Sequence, residues 1–178
     1  MPSKVTHLKL CTWNVRAVIS SAVSISNILD HTQCDILAIT EPKLFDHSLK
    51  FLNSIHADYD SYGRADQSVN QYCGLRCGKG GVGFMFRKYL RQNIEVIENC
   101  GNERILGVKV GGYNVLNKPL YIFVVYMPAD SVIEMYDSYL EELSCMYNTY
   151  SEMGHVILCG DFNGRKKKYN FQTISSLA

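Results

Sequence analysis

The stretch Val156-Ile157-Leu158-Cys159-Gly160-Asp161-Phe162-Asn163 decides the fold of this chain. Its first four residues are apolar, as in a short buried strand, and the glycine after them lets the backbone turn sharply. Asp161 and Asn163 then stand two residues apart, so their side chains can point in the same direction. The stretch therefore predicts a core strand that delivers a carboxylate and an amide to one end of a sheet.

Three other strand-like runs also end in polar or hydroxyl-bearing residues. They run from Leu8 to Val15 with Asn14 near the end, from Asp35 to Thr40 before Glu41, and from Leu120 to Val125 before Tyr126. A helical pattern follows the first and the third run, so a strand–helix–strand unit occurs twice. Because ligand sites collect at strand ends in sheets with helical cover, the repeat predicts two halves that meet at one site.

Local signals predict the remaining elements. Ser20 or Ser21 is expected to cap the first helix, and Asp46 a second short helix through about Ile55. The expected elements between and after them are a surface loop with one strand over 59–81, successive antiparallel strands over 81–86, 93–97 and 105–110, a turn over 111–114, and a long helix over 132–153 ended by Gly154. The predicted core face of that helix comprises Ile133, Tyr136, Leu140, Leu143, Tyr147 and Tyr150.

Composition limits the class of protein. The 178 residues are 47% apolar and 20% charged, with a formal net charge of +1, which predicts one globular domain over 1–178 rather than a strongly basic nucleic-acid binder. No apolar run is long enough to cross a bilayer, and no signal peptide pattern opens the chain. The seven cysteines are an odd number, and several lie in apolar runs, so we expect reduced thiols in an intracellular protein that is not secreted.

The residue types at the strand ends point to phosphate chemistry. Glu41 follows an apolar strand and needs a positive partner, which Mg²⁺ or a salt bridge can supply. Asp161 can bind a metal or take a proton from water, and Asn163 can donate its amide to a phosphate oxygen. A simple Asx turn after the strand is the alternative for this pair, and an aromatic residue that caps a core strand is the alternative for Tyr126.

Five segments resemble, in order and spacing, those of the endonuclease/exonuclease/phosphatase superfamily. They are Cys11-Thr12-Trp13-Asn14-Val15, Ala38-Ile39-Thr40-Glu41-Pro42-Lys43-Leu44, Gly80-Gly81-Val82-Gly83-Phe84, Val124-Val125-Tyr126-Met127-Pro128 and Leu158-Cys159-Gly160-Asp161-Phe162-Asn163. Together with Asn102-Glu103-Arg104-Ile105, these segments most resemble those of the abasic-type endonuclease domains of non-LTR retrotransposons.

The resemblance implies an α/β fold, a four-layer sandwich of two packed mixed β-sheets flanked by helices. It implies that Glu41 holds Mg²⁺, or Mn²⁺ in its place, and that Asn14 helps to orient the metal or its water. It further implies that Tyr126 contacts the scissile phosphate, that Asp161 orients or activates the attacking water, and that Asn163 stabilises the pentacovalent phosphorus.

Two departures from the family pattern bear on activity. Arg16 stands where abasic-site endonucleases often carry an acidic residue. The family also ends in a Ser-Asp-His motif with an essential histidine, and no histidine occurs between Asn163 and Ala178. We therefore expect a domain that is truncated at its C-terminus. Loss of such an acid/base group typically costs on the order of 10²–10⁴ in rate.

The functional expectation is a Mg²⁺-dependent DNA endonuclease of retrotransposon type, with activity in question because of that motif. The alternatives are a non-catalytic nucleic-acid-binding remnant and a phosphatase or lipid phosphodiesterase of the same superfamily. Arg165, Lys166, Lys167 and Lys168 form a basic run that can contact nucleic-acid backbone, with a solvated loop as its alternative. DNA is the expected partner, the nucleus the expected location, and a polyprotein with reverse transcriptase the expected context.

Overall fold

The computed structural model describes residues 7–68, 77–111, 118–128 and 133–164. Residues 112–114 of the predicted turn at 111–114 and the basic run at 165–168 therefore lie outside the described residues. The elements are β1 (Leu10–Asn14), α1 (Val18–Thr32), β2 (Ile36–Thr40), a 3₁₀ helix (Asp46–Ser54), β3 (Tyr59–Arg64), β4 (Val82–Arg87), a 3₁₀ turn (Lys88–Leu90), β5 (Ile94–Val96), β6 (Ile105–Val110), β7 (Leu120–Tyr126), α2 (Ile133–Met153) and β8 (His155–Asp161).

The first sheet has the strand order β1-β2-β4-β3. Strands β1 and β2 run parallel and are joined by α1, whereas β4 pairs antiparallel with both β2 and β3. Every residue of β2 is buried, as expected for a strand that is covered on both faces. On the outer face, Leu37 and Ile39 of β2 pack in one cluster with Ile25 and Leu29 of α1.

The second sheet has the order β5-β6-β7-β8 and repeats this plan. Strands β7 and β8 run parallel and are joined by α2, and β6 pairs antiparallel with β7 and with β5. Phe123 and Val125 of β7 pack against Tyr136 and Leu143 of α2 on the outer face. Both predicted strand–helix–strand units are thus present, each as a parallel pair.

The two sheets pack against each other through their inner faces. Ile36 and Ala38 of β2 share one buried cluster with Ile122 and Val124 of β7. Alternate residues of the same strands face the helices, which is the period of two that a sheet covered on both sides requires. The order helix, sheet, sheet, helix confirms the predicted four-layer α/β sandwich. Each fully buried aliphatic side chain contributes about 1.5–3 kcal/mol to its stability.

One predicted strand pairing is wrong. Strands β4 and β5 were expected to be neighbours, but β4 belongs to the first sheet and β5 to the second. The 3₁₀ turn at Lys88–Leu90 carries the chain from one sheet to the other, with Leu90 buried in the inner layer. Strand β4 is buried on both faces, so it pairs with two partners inside the first sheet and not with its successor in sequence.

The helix boundaries also differ from the predictions. Helix α1 begins at Val18, before Ser20 and Ser21, whose hydroxyls donate to the carbonyls of Ala17 and Val15. The predicted second helix is a 3₁₀ helix that begins at Asp46, so Asp46 is not its cap. Because serines on the first turn of a helix bond backbone carbonyls as readily as they cap amides, sequence alone places such starts poorly.

Helix α2 follows its prediction closely and ends at Met153, before Gly154. A Cβ at Gly154 would lie 2.3 Å from the carbonyl oxygen of Pro119, so the close approach of β7 also requires glycine there. Tyr136 and Leu143 are buried as expected, but Tyr147 is 38% exposed. Among the described residues, no helix is both long and apolar enough to span a membrane.

Candidate active site

The ends of the two parallel strand pairs meet at one edge of the sandwich. Asn14 pairs in register with Thr40 at the end of β1 and β2, and Tyr126 pairs with Asp161 at the end of β7 and β8. Strands β1 and β2 both contact β8 across the sandwich. The predicted convergence of polar residues at strand ends is therefore realised in the structure.

Strand periodicity directs these side chains over the inner layer between the sheets. Leu10 of β1, Val124 of β7 and Cys159 of β8 all pack into that layer. Asn14, Tyr126 and Asp161 lie an even number of residues further along the same strands, so they emerge on the same face. The site thus sits above an apolar floor, where electrostatic interactions are stronger than in water.

Asn14 joins the two sheets through its side-chain amide. Its Nδ2 donates to Glu41 Oε1 at 2.8 Å and to Asp161 Oδ2 at 2.7 Å. Its Oδ1 accepts a hydrogen bond from the backbone nitrogen of Arg16 at 3.1 Å, which fixes the orientation of the amide. Both hydrogens of one NH₂ group are used, and two carboxylates are held side by side.

Glu41 is held by an unusual backbone conformation. Its φ is 53°, and its backbone nitrogen donates to the carbonyl of Gly81 at 3.1 Å. Its Oε2 lies 3.4 Å from Lys43 Nζ, and its side chain is 18% exposed. A left-handed conformation at a residue with a β-carbon costs about 1–3 kcal/mol and concentrates at functional sites. The glycines of Gly80-Gly81-Val82 thus serve to anchor the Glu41 turn.

Tyr126 closes the site from the second sheet. Burial raises the pKa of its hydroxyl above the ordinary value, and the charge of Glu41 and a hydrogen bond to it raise the pKa further. The nearby Arg104 acts in the opposite direction. The Tyr126 hydroxyl is therefore protonated at neutral pH and can donate a hydrogen bond to an anionic oxygen.

Asp161 and Asn163 form the turn after β8. Asp161 Oδ1 accepts from the backbone nitrogen of Asn163 at 3.1 Å, which is the geometry of an Asx turn. Asn163 Nδ2 donates to the carbonyl of Met127 at 2.9 Å, and Met127 N donates to the carbonyl of Asp161. The structure therefore ties Asn163 to Asp161 and to the end of β7, and it gives Asn163 no direct bond to Asn14 or Glu41.

The donor set at this site fits Mg²⁺. The metal usually takes one or two protein carboxylates and fills its other positions with water and substrate phosphate, and Glu41 and Asp161 meet that need. Thr40, the residue before Glu41, has an Oγ1 that is buried without a hydrogen-bond partner among the described residues. A water bound to a cation at this site would be a suitable partner for that hydroxyl. No group of three His, Cys, Asp or Glu side chains within the described ranges could hold a metal, so a fully protein-built cage is absent there.

An open cavity of about 600 Å³ adjoins Asn14 and Asp161. Its lining comprises Trp13, Asn14, Val15, Arg16, Ser20, Ser21 and Asp161. Arg16 is exposed and brings a positive charge to this cavity. The residue that departs from the family pattern thus lies at the site, where a guanidinium suits a phosphate oxygen.

Three residues at the site escaped the sequence predictions. Lys43 pairs with Glu41, Thr40 has a buried hydroxyl without a partner among the described residues, and Arg104 stacks on Tyr126. Lys43 and Thr40 are close to Glu41 in the sequence, and this closeness could have identified them as site residues. Arg104 offered none, because its contact with Tyr126 depends on how β6 pairs with β7.

Solved structures with this fold include a 3' phosphatase and an AP endonuclease. The 3' phosphatase NExo from Neisseria, bound to product DNA hairpin, has a TM-score of 0.65 and 17% identity, and the match covers 88% of this chain and 58% of that one. The human Nocturnin catalytic domain with bound sulfate anion has a TM-score of 0.64 and 16% identity, and the match covers 90% of this chain and 66% of that one. An AP endonuclease from Archaeoglobus fulgidus has a TM-score of 0.59 and 19% identity, and the match covers 88% of this chain and 58% of that one.

This chain therefore spans between 58% and 66% of the length of these three structures. A comparison with curated protein sequences gave no match. The model of the Endonuclease/Exonuclease/phosphatase family matches residues 11–174, which include every strand and helix described above except Leu10, the first residue of β1. The chain therefore belongs to the endonuclease/exonuclease/phosphatase family.

Proposed function

We propose that this chain is a Mg²⁺-dependent phosphodiesterase that cuts DNA, an endonuclease of the non-LTR retrotransposon type. One observation carries the proposal: the Asn14 amide holds the carboxylates of Glu41 and Asp161 together, beside the hydroxyl of Tyr126. This arrangement combines a cation site, a proton acceptor and a hydrogen-bond donor for phosphate at one end of the sandwich.

Each side chain has a defined part in the hydrolysis. Asp161 keeps lone pairs free beyond its bonds to Asn14 and Asn163, so it can orient a water and accept its proton. The water oxygen bonds to phosphorus, one P–O ester bond breaks, and the departing oxygen takes a proton from solvent. Tyr126 donates to a non-bridging oxygen as negative charge grows there. Asn163 is proposed to support the pentacovalent phosphorus.

Glu41 would hold the cation, with Asn14 orienting its carboxylate, and Asp161 would be left to accept the proton of the water. When bound, Mg²⁺ neutralises phosphate charge and polarises the phosphoryl oxygen. Mn²⁺ suits the same oxygen donors. The chain's own contribution is to preorganise the two carboxylates over an apolar floor, so that little rearrangement is needed on binding.

Cations around the site favour a polyanionic substrate. Arg16 lines the cavity, Lys43 pairs with Glu41, and Arg104 lies over Tyr126, although the whole chain carries a formal net charge of only +1. A local concentration of positive charge is what contacts to nucleic-acid backbone require. The basic run at 165–168 is proposed to add such contacts. DNA is also the molecule named with the NExo structure.

We also propose the retrotransposon type, a nuclear location and a polyprotein with reverse transcriptase. These three proposals have no support beyond the sequence, chiefly the resemblance of its segments to those of retrotransposon endonuclease domains. A phosphatase or lipid phosphodiesterase would use the same carboxylates. Substrate comparison is therefore part of the test, with supercoiled plasmid, a phosphate monoester and a phosphoinositide offered to the same preparation.

The decisive experiment is a plasmid-nicking assay with the full chain and Mg²⁺. We expect nicking that requires the metal and that falls on the order of 10²–10⁴-fold in Asp161→Asn, because the proton acceptor is lost without a change in volume. Asp30→Asn is the matched control, since the Asp30 side chain in α1 is 64% exposed. Undiminished nicking by a folded Asp161→Asn protein would refute the assignment. Salt-sensitive DNA binding without cleavage would support the non-catalytic reading instead.

A direct metal titration complements the assay. We expect Mn²⁺, followed by its EPR signal, to bind the wild-type chain and to bind Glu41→Gln at least about tenfold more weakly, because a charged ligand is replaced by an amide. Glu95→Gln is the control, since the Glu95 side chain is 72% exposed. Equal affinity in the wild-type and Glu41→Gln proteins would place the cation elsewhere.

A further inference from the structure

Arg104 lies directly before β6 and stacks on two tyrosines. Its guanidinium carbon is 5.2 Å from the ring centroid of Tyr126 and 5.6 Å from that of Tyr139. Its Nη1 donates to the carbonyl of Tyr126 at 3.4 Å. Among the described residues, no carboxylate lies within 4.0 Å of this guanidinium to form an ion pair. The guanidinium thus contacts the two aromatic rings and the Tyr126 carbonyl.

The loop that carries Arg104 is fixed from the α2 side. Asn102 Nδ2 donates to Glu142 Oε2 at 2.7 Å, and Asn102 Oδ1 accepts from the backbone nitrogen of Arg104 at 2.8 Å. The Tyr139 hydroxyl donates to Glu103 Oε1 at 2.9 Å. The guanidinium is therefore presented by a loop that is anchored to a long helix.

The first sheet holds the same loop through a second arginine. Arg64, the last residue of β3, donates from Nη1 to the carbonyls of Cys100, Asn102 and Ile105 at 3.1, 3.2 and 3.0 Å. The backbone nitrogen of Tyr126 in turn donates to the carbonyl of Arg104 at 2.8 Å. Both sheets thus determine where the Arg104 guanidinium lies relative to the Tyr126 ring.

We propose that Arg104 is a positioning residue for Tyr126, which holds the phenol ring so that its hydroxyl points at the acidic residues. A guanidinium is planar and always charged, so it can stack on one ring face while its N–H groups bond the backbone of the same residue. A tyrosine fixed in this way loses less rotational freedom when substrate binds. The inference rests on the proposed function, because it assigns the orientation of a proposed phosphate donor.

The kinetic test is a double-mutant cycle with Arg104→Met and Tyr126→Phe. We expect Arg104→Met to lower kcat by about tenfold and to leave KM within about twofold, because ring orientation matters most in the transition state. In the Tyr126→Phe background, which has no hydroxyl to orient, Arg104→Met should have no further effect on kcat. Arg91→Met is the control, since the Arg91 side chain is 72% exposed.

One kinetic outcome would overturn the proposal. If Arg104→Met raises KM with a smaller salt dependence, and does so equally in the Tyr126→Phe background, then Arg104 binds phosphate directly and does not act through the tyrosine.

A second measurement decides the matter without any cleavage. The full chain is labelled with 3-fluorotyrosine, and the ¹⁹F resonance of Tyr126 is assigned by its loss in Tyr126→Phe. We expect Arg104→Met to shift this resonance and Arg91→Met to leave it in place. An unmoved Tyr126 resonance in folded Arg104→Met protein would refute the positioning role. Absent nicking by the wild-type chain would count against the proposed function alone.

Discussion

The two parallel strand–helix–strand units share a plan but end their second strands differently. In the first unit, β2 leads into Glu41, which adopts a φ of 53° despite its side chain. In the second unit, β8 carries Gly160 at a φ of 124°, directly before Asp161. Each unit delivers one carboxylate to the site, but one does so through a strained glutamate and the other through a glycine.

The difference follows from what surrounds each turn. The Glu41 turn is anchored by bonds to the carbonyls of Gly80 and Gly81, in the segment before β4. The Gly160 backbone instead presses against β7, because a Cβ there would lie 2.1 Å from the carbonyl oxygen of Val125. The first turn is therefore maintained by hydrogen bonds from a neighbouring loop, and the second by the absence of a side chain.

The largest effect should come from Gly160→Ala. We expect this substitution to lower the free energy of unfolding by about 3 kcal/mol or more, because its methyl group clashes with backbone that cannot move without breaking the β7–β8 pairing. Denaturant unfolding measures the change. Gly111→Ala is the control, since a Cβ there meets only the carbonyl of Asn93 at 3.5 Å. Similar unfolding midpoints for the two variants would contradict this account of the second turn.

A smaller effect is expected from Asn14→Ala, which removes the link between the units. Without metal, two partly buried carboxylates lose a shared donor, so we expect a loss of about 1–3 kcal/mol in unfolding free energy. Mg²⁺ should restore part of it by replacing the lost positive hydrogens. Thermal unfolding with and without Mg²⁺ measures both. Asn53→Ala in the 3₁₀ helix removes an exposed side chain that accepts a bond from the Ser61 hydroxyl, and it should change stability by less than about 0.5 kcal/mol in either condition.

The smallest effect at neutral pH, where it vanishes, is a pH dependence that belongs to the second unit. Burial raises the pKa of the Cys159 thiol in β8 from 9.0 to about 12. The folded state therefore keeps its proton where the unfolded state releases it. The resulting stability is complete below about pH 9 and declines as pH rises toward 12.

The variant Cys159→Val tests this dependence. We expect the decline in unfolding free energy between these pH values to become shallower by up to about 1.4 kcal/mol per pH unit. A change in packing alone would displace the whole curve by a constant amount. Parallel curves for the variant and the wild type would therefore show that this thiol does not titrate on unfolding.

Local sequence patterns predicted the repeated units well. Strand periodicity, helical spacing and the glycine at 154 depend on residues near each other in the chain, so β1, β2, β7, β8 and α2 could be placed within a few residues. The convergence of Asn14, Glu41, Tyr126 and Asp161 also followed, because parallel pairs bring their ends to one edge.

Long-range pairing was the part that sequence could not supply. Strand β4 belongs to the first sheet because it pairs with β2 and β3. The residues near β4 in the sequence do not indicate this pairing. The role of Arg104 was hidden for the same reason, since its contact with Tyr126 bridges residues 22 apart in sequence. Thr40 looked like an ordinary strand residue until its hydroxyl proved buried without a partner among the described residues.

The bond from Asn14 to Asp161 joins residues that are 147 positions apart. During synthesis from the N-terminus, Glu41 and Asn14 therefore leave the ribosome long before their acidic counterpart exists. Contacts of such sequence separation form slowly and late, because a long loop must close first. A chain that lacks β8 carries Asn14 and Glu41 but not the carboxylate that completes their hydrogen-bond network. The linked arrangement of Asn14, Glu41 and Asp161 thus exists only once nearly the whole described chain has been made.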